Sequence, residues 1–259
     1  MTDQGQVRLQ IEAGVASVLF DRPQARNAMT WAMYEQLAAI NRQLSTDRSV
    51  RVAVFRGAGG QAFVAGTDIE QFAAFQTGED GVTYERQIEA GIELMCNLPM
   101  PTVAVVEGWC VGGGLAIATA CDFRLATPSA KFGVPIAKTL GNCLAIANVA
   151  RLRAAFGHQR VKRMLLLAEF IGADEALACG FLQAIEAPEA IEAATTTLVQ
   201  RLAVLAPVTQ RVSKATLERL ATHDLAASED LIRAAYGSDD FHEGVAAFVA
   251  KRPPVWSGQ

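Results

Sequence analysis

PTVAVVEGWCVGGGLAIATACDFRLATPSAKFG, residues 101–133, carries most of what the chain says about its architecture. Residues 103–106 are a continuous apolar run of strand length, the pattern of a strand covered on both faces. Gly112, Gly113 and Gly114 follow after a short turn, and residues 115–121 read as a buried helix. Glycines at a strand-to-helix turn let a ligand or another backbone segment come close, and the first amides of the helix have no partner within it. Such a place attracts negative charge, whether a phosphate or the developing oxyanion of a carbonyl. A tight turn packed against its neighbours accounts for the same glycines, and the glycines alone leave both readings open.

Two nucleotide-binding patterns are not met. The dinucleotide fingerprint would need Gly or Ala at position 117, which is Ile117, and an acidic residue about 20 positions on. No Gly-Lys-Ser/Thr of a phosphate-binding loop occurs in the chain.

Working outward, residues 7–12 and 15–20 flank Ala13 and Gly14, which predicts a hairpin. Met33, Leu37, Ile40 and Leu44 recur at helical spacing, with Thr30 placed to cap the helix. Residues 51–55 read as a strand and 84–97 as a helix ending at the Pro99–Pro101 break. Strands alternating with helices predict a parallel α/β sheet. From about residue 188 the pattern turns helical, with three segments punctuated by Pro207, residues 223–224 and residues 237–238. The expected organisation is a core over residues 1–187 and a helical region over 188–259. Leu198, Val199, Leu202, Leu205, Phe241, Val245 and Phe248 give that region apolar surface, for its own core or for a second subunit.

The 259 residues are 51% apolar and 19% charged, a globular composition, and the net charge of -4 gives no footprint for nucleic acid or an anionic membrane. Five cysteines, without a Cys-x-x-Cys or Cys/His cluster, indicate neither a disulfide framework nor a zinc site, and three scattered histidines suggest no metal centre. No basic segment followed by an apolar stretch opens the chain, and no apolar run reaches the roughly 18 residues of a membrane span. A cytoplasmic, soluble protein is expected.

Five segments in register resemble the enoyl-CoA hydratase/isomerase (crotonase) superfamily: FDRPQARNAM (20–29), FVAGTDIEQF (63–72), the 101–133 block, ADEALACGFLQAI (173–185) and the closing stretch 240–253. The resemblance covers nearly the whole chain. It implies a crotonase-like spiral of ββα units with a C-terminal helical trimerisation region, in a homotrimer or a dimer of trimers. It also implies an acyl-CoA thioester as ligand, with CoA entering only as part of the substrate and no separate cofactor.

By the same resemblance, the backbone amides of Thr67 and Gly113 form an oxyanion hole for the thioester carbonyl. Prealigned donors there stabilise an enolate or tetrahedral oxygen, each worth roughly 3–4 kcal/mol. CoA contacts fall on Gln24, Ala25 and Arg26 and on Ala65, Asp68 and Ile69, with Arg26 suited to a phosphate. Asp68 reads as a cap for the next helix ahead of a substrate contact. The acyl pocket falls among Phe72, Phe75, Trp109, Ala116, Ile136, Asn142, Cys143 and Leu144.

The chain departs from the family at the acid–base positions. Family hydratases carry one glutamate two positions after the glycine run and another in a Phe-Gly-x-Pro-Glu segment. Here these are Ala116 and Ile136, and neither can move a proton. General acid–base help is typically worth 10²–10⁴-fold per group. Glu89 and Glu93, one turn apart on the 84–97 helix, read first as a solvated acidic face and are the leading candidates for a replacement. Tyr236 and His242 are further candidates, and Asp122 reads as structural. Two functions follow: an enzyme working through an oxyanion-stabilised enolate with non-standard acid–base groups, or a CoA-ester-binding protein with little chemistry.

Overall fold

A computed structural model describes residues 4–69, 72, 75–221, 239, 240, 243, 247, 250 and 252–259. The hairpin pairs β1 (Gln6–Glu12) with β2 (Val15–Asp21). Its two link residues, Ala13 and Gly14, have φ of 47° and 78°, a left-handed pair whose twist matches that of the strands. In α1 (Trp31–Thr46) the Thr30 hydroxyl accepts the Met33 amide at 3.2 Å, and the predicted stripe of Met33, Leu37, Ile40 and Leu44 is buried.

The chain then repeats one unit three times: a long strand, a short strand and a helix. The first is β3 (Val52–Gly57), β4 (Ala62–Val64) and α2 (Gly78–Cys96); the second is β5 (Thr102–Val106), β6 (Trp109–Val111) and α3 (Gly113–Ala120). The third is β7 (Phe123–Ala126), β8 (Lys131–Gly133) and α4 (Ile146–Phe156). After it come α5 (His158–Leu166), β9 (Ile171–Gly172), α6 (Ala173–Ala178), β10 (Ala184–Ile185), α7 (Ile191–Ala203) and α8 (Pro207–Ala221).

Long strands assemble one sheet in the order β1-β2-β3-β5-β7-β10, parallel beyond the first hairpin. Short strands assemble another in the order β4-β6-β8-β9, antiparallel only at β8–β9. This is the predicted ββα spiral. Three-residue strands are too short to show a period, so β4, β6 and β8 are not evident from alternation. Two helices start earlier than their apolar patterns do. α2 begins at Gly78 because Asp80 accepts the Thr77 amide and hydroxyl at 2.8 and 3.0 Å, which closes its first turn. α3 begins at Gly113, so the glycines belong to the helix as well as to the turn.

The main core lies between the two sheets and α1–α6. On the other face of the large sheet, Ile191, Leu198, Val199 and Leu202 of α7 pack against Val52, Val103, Val105 and Leu125. The apolar face of α7 therefore serves the chain's own core, while Leu205 is exposed. Phe241, Val245 and Phe248 lie outside the described residues. Asp122 is structural, as its position suggests. Its Oδ2 accepts the Thr102 amide (2.7 Å), the Thr102 hydroxyl (2.9 Å) and Lys214 Nζ (2.9 Å), tying β5 and α8 to the end of α3. Among the described residues no helix is long and apolar enough to cross a membrane.

Candidate active site

The second ββα unit places its glycines where β4 and the loop after it pass. Gly112 sits at φ 53° as the residue before α3, and a Cβ on Gly114 would strike the Val64 carbonyl, so the α3 backbone lies directly on β4. Beyond β4, the Met29 amide donates to the Gly66 carbonyl (2.8 Å) and the Asp68 amide donates to the Met29 carbonyl (2.9 Å). Those two bonds use the groups on either side of Thr67, so the Thr67 amide turns away from Met29. Thr67 itself lies beside α3: a Cβ on Gly113 would lie 3.4 Å from Thr67 Oγ1, and one on Gly112 would lie 3.8 Å from the Gly66 α-carbon. Among the described residues, neither the Thr67 amide nor the Gly113 amide donates to an acceptor. Gly113 is the first residue of α3, where the helix itself supplies none.

Asn27 holds these loops in place. It is fully buried at φ 58°, and its Nδ2 donates to the Ala58 and Ala62 carbonyls (2.9 and 2.8 Å) while its Oδ1 accepts the Arg22 amide (3.0 Å). The Ala65 amide donates to the Arg26 carbonyl (3.1 Å), which joins the 22–27 loop to the loop after β4.

Beside this pair of amides stands a group of hydroxyls. Tyr34 Oη lies 2.8 Å from Thr67 Oγ1, which lies 3.0 Å from Tyr84 Oη. The Tyr34 hydroxyl also occupies the space that a side chain on Gly113 would need. Burial pushes the Tyr34 hydroxyl far above the ordinary tyrosine range, with Tyr84 and Glu85 adding to the effect and the Thr67 bond opposing it. Tyr84 is raised too, first by burial and then by the Glu85 charge. Both phenols are therefore neutral hydrogen-bond donors at any working pH. Glu85 is half-buried, and its Oε2 accepts the Ala145 amide (2.7 Å). Its pKa is raised by burial and by the neighbouring Glu89, against the lowering effect of that amide.

Rings fix the hydroxyls. Tyr84 packs against Phe72 (4.9 Å), Trp31 (5.3 Å) and Phe75 (6.1 Å) between ring centroids. Behind them a cleft of about 660 Å³ runs between α1 and α2, walled by Trp31, Tyr34, Phe75, Tyr84 and Ile117. Ile117 lies four residues after Gly113 on the same face of α3, so the cleft abuts the glycine turn.

Residues 10–259 match the family model described as enoyl-CoA hydratase/isomerase. The chain belongs to the enoyl-CoA hydratase/isomerase family. It is 32% identical over 254 residues to the mitochondrial enoyl-CoA hydratase domain-containing protein 2 of Bos taurus, covering 95% of this chain and 85% of that protein. It is 31% identical to the (E)-benzylidenesuccinyl-CoA hydratase of Thauera aromatica, covering 97% and 99%. Among solved structures, an enoyl-CoA hydratase/carnithine racemase from Magnetospirillum magneticum superposes with a TM-score of 0.89 at 33% identity, covering 100% and 97%.

The residues expected at an enoyl-CoA hydratase/isomerase site stand in several different settings. Glu89 is in an ion pair through one oxygen: its Oε1 accepts Arg151 at 2.7 Å, Arg151 also holds Glu218 at 2.7 Å, and the buried Oε2 has no partner among the described residues. Glu93 faces solvent on α2. Asp68 pairs with Arg22 at 2.7 Å. Asn142 and Cys143 are exposed on the loop before α4. Trp109 stacks edge-on against Phe170 (5.1 Å) and is not among the cleft-lining residues. Phe72 stands in the aromatic cluster, Ala116 is buried, and Ile136 is packed against the core. Gln24, Arg26 and Ile69 are exposed on the joined loops, and Ala25 and Ala65 are half-buried there. Tyr236 and His242 lie outside the described residues.

Sequence spacing missed Tyr34, Tyr84 and Glu85. Tyr34 and Tyr84 flank apolar helical stripes and read there as packing, and the residue that joins them, Thr67, is remote from both in sequence. Glu85 lies one turn before Glu89, so the shared face was legible and the particular carboxylate was not.

Proposed function

We propose that this chain binds an acyl-CoA thioester with its carbonyl oxygen between the amides of Thr67 and Gly113, and stabilises the enolate formed from it. The observation that carries the proposal is the pair of unpartnered amides, from two adjacent loops, at the start of α3 and beside an apolar cleft. Two fixed dipoles there favour the oxygen more as it gains charge, which lowers the barrier to forming the enolate. The CoA moiety then lies along the joined loops, against Gln24, Ala25, Arg26, Ala65 and Ile69, with the exposed Arg26 guanidinium available to a phosphate.

Acid–base chemistry at this site is not that of a two-glutamate hydratase, because Ala116 and Ile136 stand at the glutamate positions and neither ionises. Glu85 takes the part first assigned to Glu89 and Glu93. It is half-buried beside the tyrosine hydroxyls, and its raised pKa brings it closer to working pH. The reactions compatible with this set are double-bond isomerisation, decarboxylation, and hydration or dehydration of an unusual acyl group. Relatives named as hydratases, one of them for (E)-benzylidenesuccinyl-CoA, support the acyl-CoA class. The absence of ionisable groups at 116 and 136 also favours a second reading, a CoA-ester-binding protein with little chemistry.

Gly113→Val places a branched side chain where the Tyr34 hydroxyl stands and displaces the amide. Calorimetry with butyryl-CoA should show binding weakened at least about tenfold, and tight binding by the variant would refute the carbonyl placement. Exchange of the α-proton into deuterated water by the wild type separates the enzyme from the binding protein.

A further inference from the structure

We infer that Tyr34 is a third donor to the enolate oxygen, fed by the hydroxyl chain Tyr84–Thr67–Tyr34, and so is a catalytic residue of this site. The inference rests on the thioester reading above and adds to it a group outside the motif segments.

Position comes first. The Tyr34 hydroxyl lies where the Gly113 Cβ would project. In a helix that bond tilts towards the N-terminus, the side on which the first amides are free. An oxygen bound by the Gly113 amide is therefore a near neighbour of Tyr34 Oη. Thr67, whose amide is the other donor, touches Tyr34 through its side chain at 2.8 Å.

Proton count comes second. Each hydroxyl has one proton to donate and can accept twice. The two bonds through Thr67 use two protons, and the third is shared between the Tyr34 and Tyr84 hydroxyls until a ligand oxygen takes it. With Tyr84 donating to Thr67 and Thr67 donating to Tyr34, that third proton is on Tyr34, and each bond polarises the next. Burial keeps both phenols protonated, so Tyr34 stabilises charge by hydrogen bonding and gives up no proton. The rings of Trp31, Phe72 and Phe75 hold Tyr84 in place, so little reorganisation is needed as charge develops.

The same geometry explains a threonine at position 67. Its side chain is the only hydroxyl bonded to both tyrosines among the described residues, and a residue without a hydroxyl would break the chain.

The test separates enolate from ground state, using acetoacetyl-CoA, whose enolate absorbs in the near ultraviolet, and butyryl-CoA, which does not enolise measurably. On the wild-type protein acetoacetyl-CoA should enolise at lower pH than it does free in solution. In Tyr34→Phe the midpoint should rise by about one to two pH units, a 10–10²-fold loss, while butyryl-CoA binds within about threefold of wild type. Tyr84→Phe, one bond further away, should move the midpoint the same way by less. An unchanged midpoint in Tyr34→Phe, a lower one, or an equal loss of both ligands would each overturn the inference. Wild-type protein that binds neither ligand would instead overturn the thioester reading, and this inference with it.

Discussion

Glu85, Glu89 and Glu93 share one helix and differ in what surrounds them. Glu89 is held by a buried arginine, Glu93 is solvated, and Glu85 is raised by burial beside two tyrosines. A base acts in its ionised form, so a raised pKa moves the acidic limb of the rate profile upward. The α-proton exchange rate should rise with pH through a midpoint above the ordinary glutamate value of 4.5. Glu85→Gln should cut exchange by roughly 10²-fold or more and remove that limb. A profile that keeps its limb in Glu85→Gln, and loses it in Glu89→Gln, would return the role to Glu89. At this scale the sequence is partly legible. Thr67 and Gly113 stand out because their glycine-containing motifs specify backbone, which is local. Tyr34 and Glu85 do not, because their surroundings come from segments remote in sequence.

Among elements, α2 is the one that the site and the fold share. It carries Tyr84, which lines the cleft, with Glu85 next to it, and one turn later Glu89 anchors it to α4 through Arg151, which also reaches Glu218 on α8. Removing Arg151 leaves two carboxylates facing each other, each about a quarter exposed. Breaking such a buried pair from one side costs about 3 kcal/mol. Arg151→Ala should therefore lower the midpoint of urea denaturation, while Glu93→Ala should leave it nearly unmoved. The long strands and amphipathic helices were legible because their periods run for several residues. The short strands β4, β6 and β8 were not, because three residues between two turns show no period, and they are fixed by pairing with one another. The early start of α2 rests on a cap, Thr77 and Asp80, lying outside the apolar pattern.

For the molecule as a whole, the spiral has one consequence above the others. Each ββα turn stacks on the last, so β4 with the loop after it, from the first turn, lies against β6 and the α3 glycines of the second. Two loops from successive turns are thus brought side by side. The resemblance of five segments in register made that stacking legible, while the hydroxyl chain across it appears only once the turns are assembled. The central claim is that these two loops hold a thioester carbonyl, and a crystal structure with butyryl-CoA bound tests it most directly. The carbonyl oxygen should lie about 3 Å from both the Thr67 and the Gly113 amide nitrogens. A well-ordered butyryl-CoA whose carbonyl lies elsewhere, with both amides left unengaged, would contradict it.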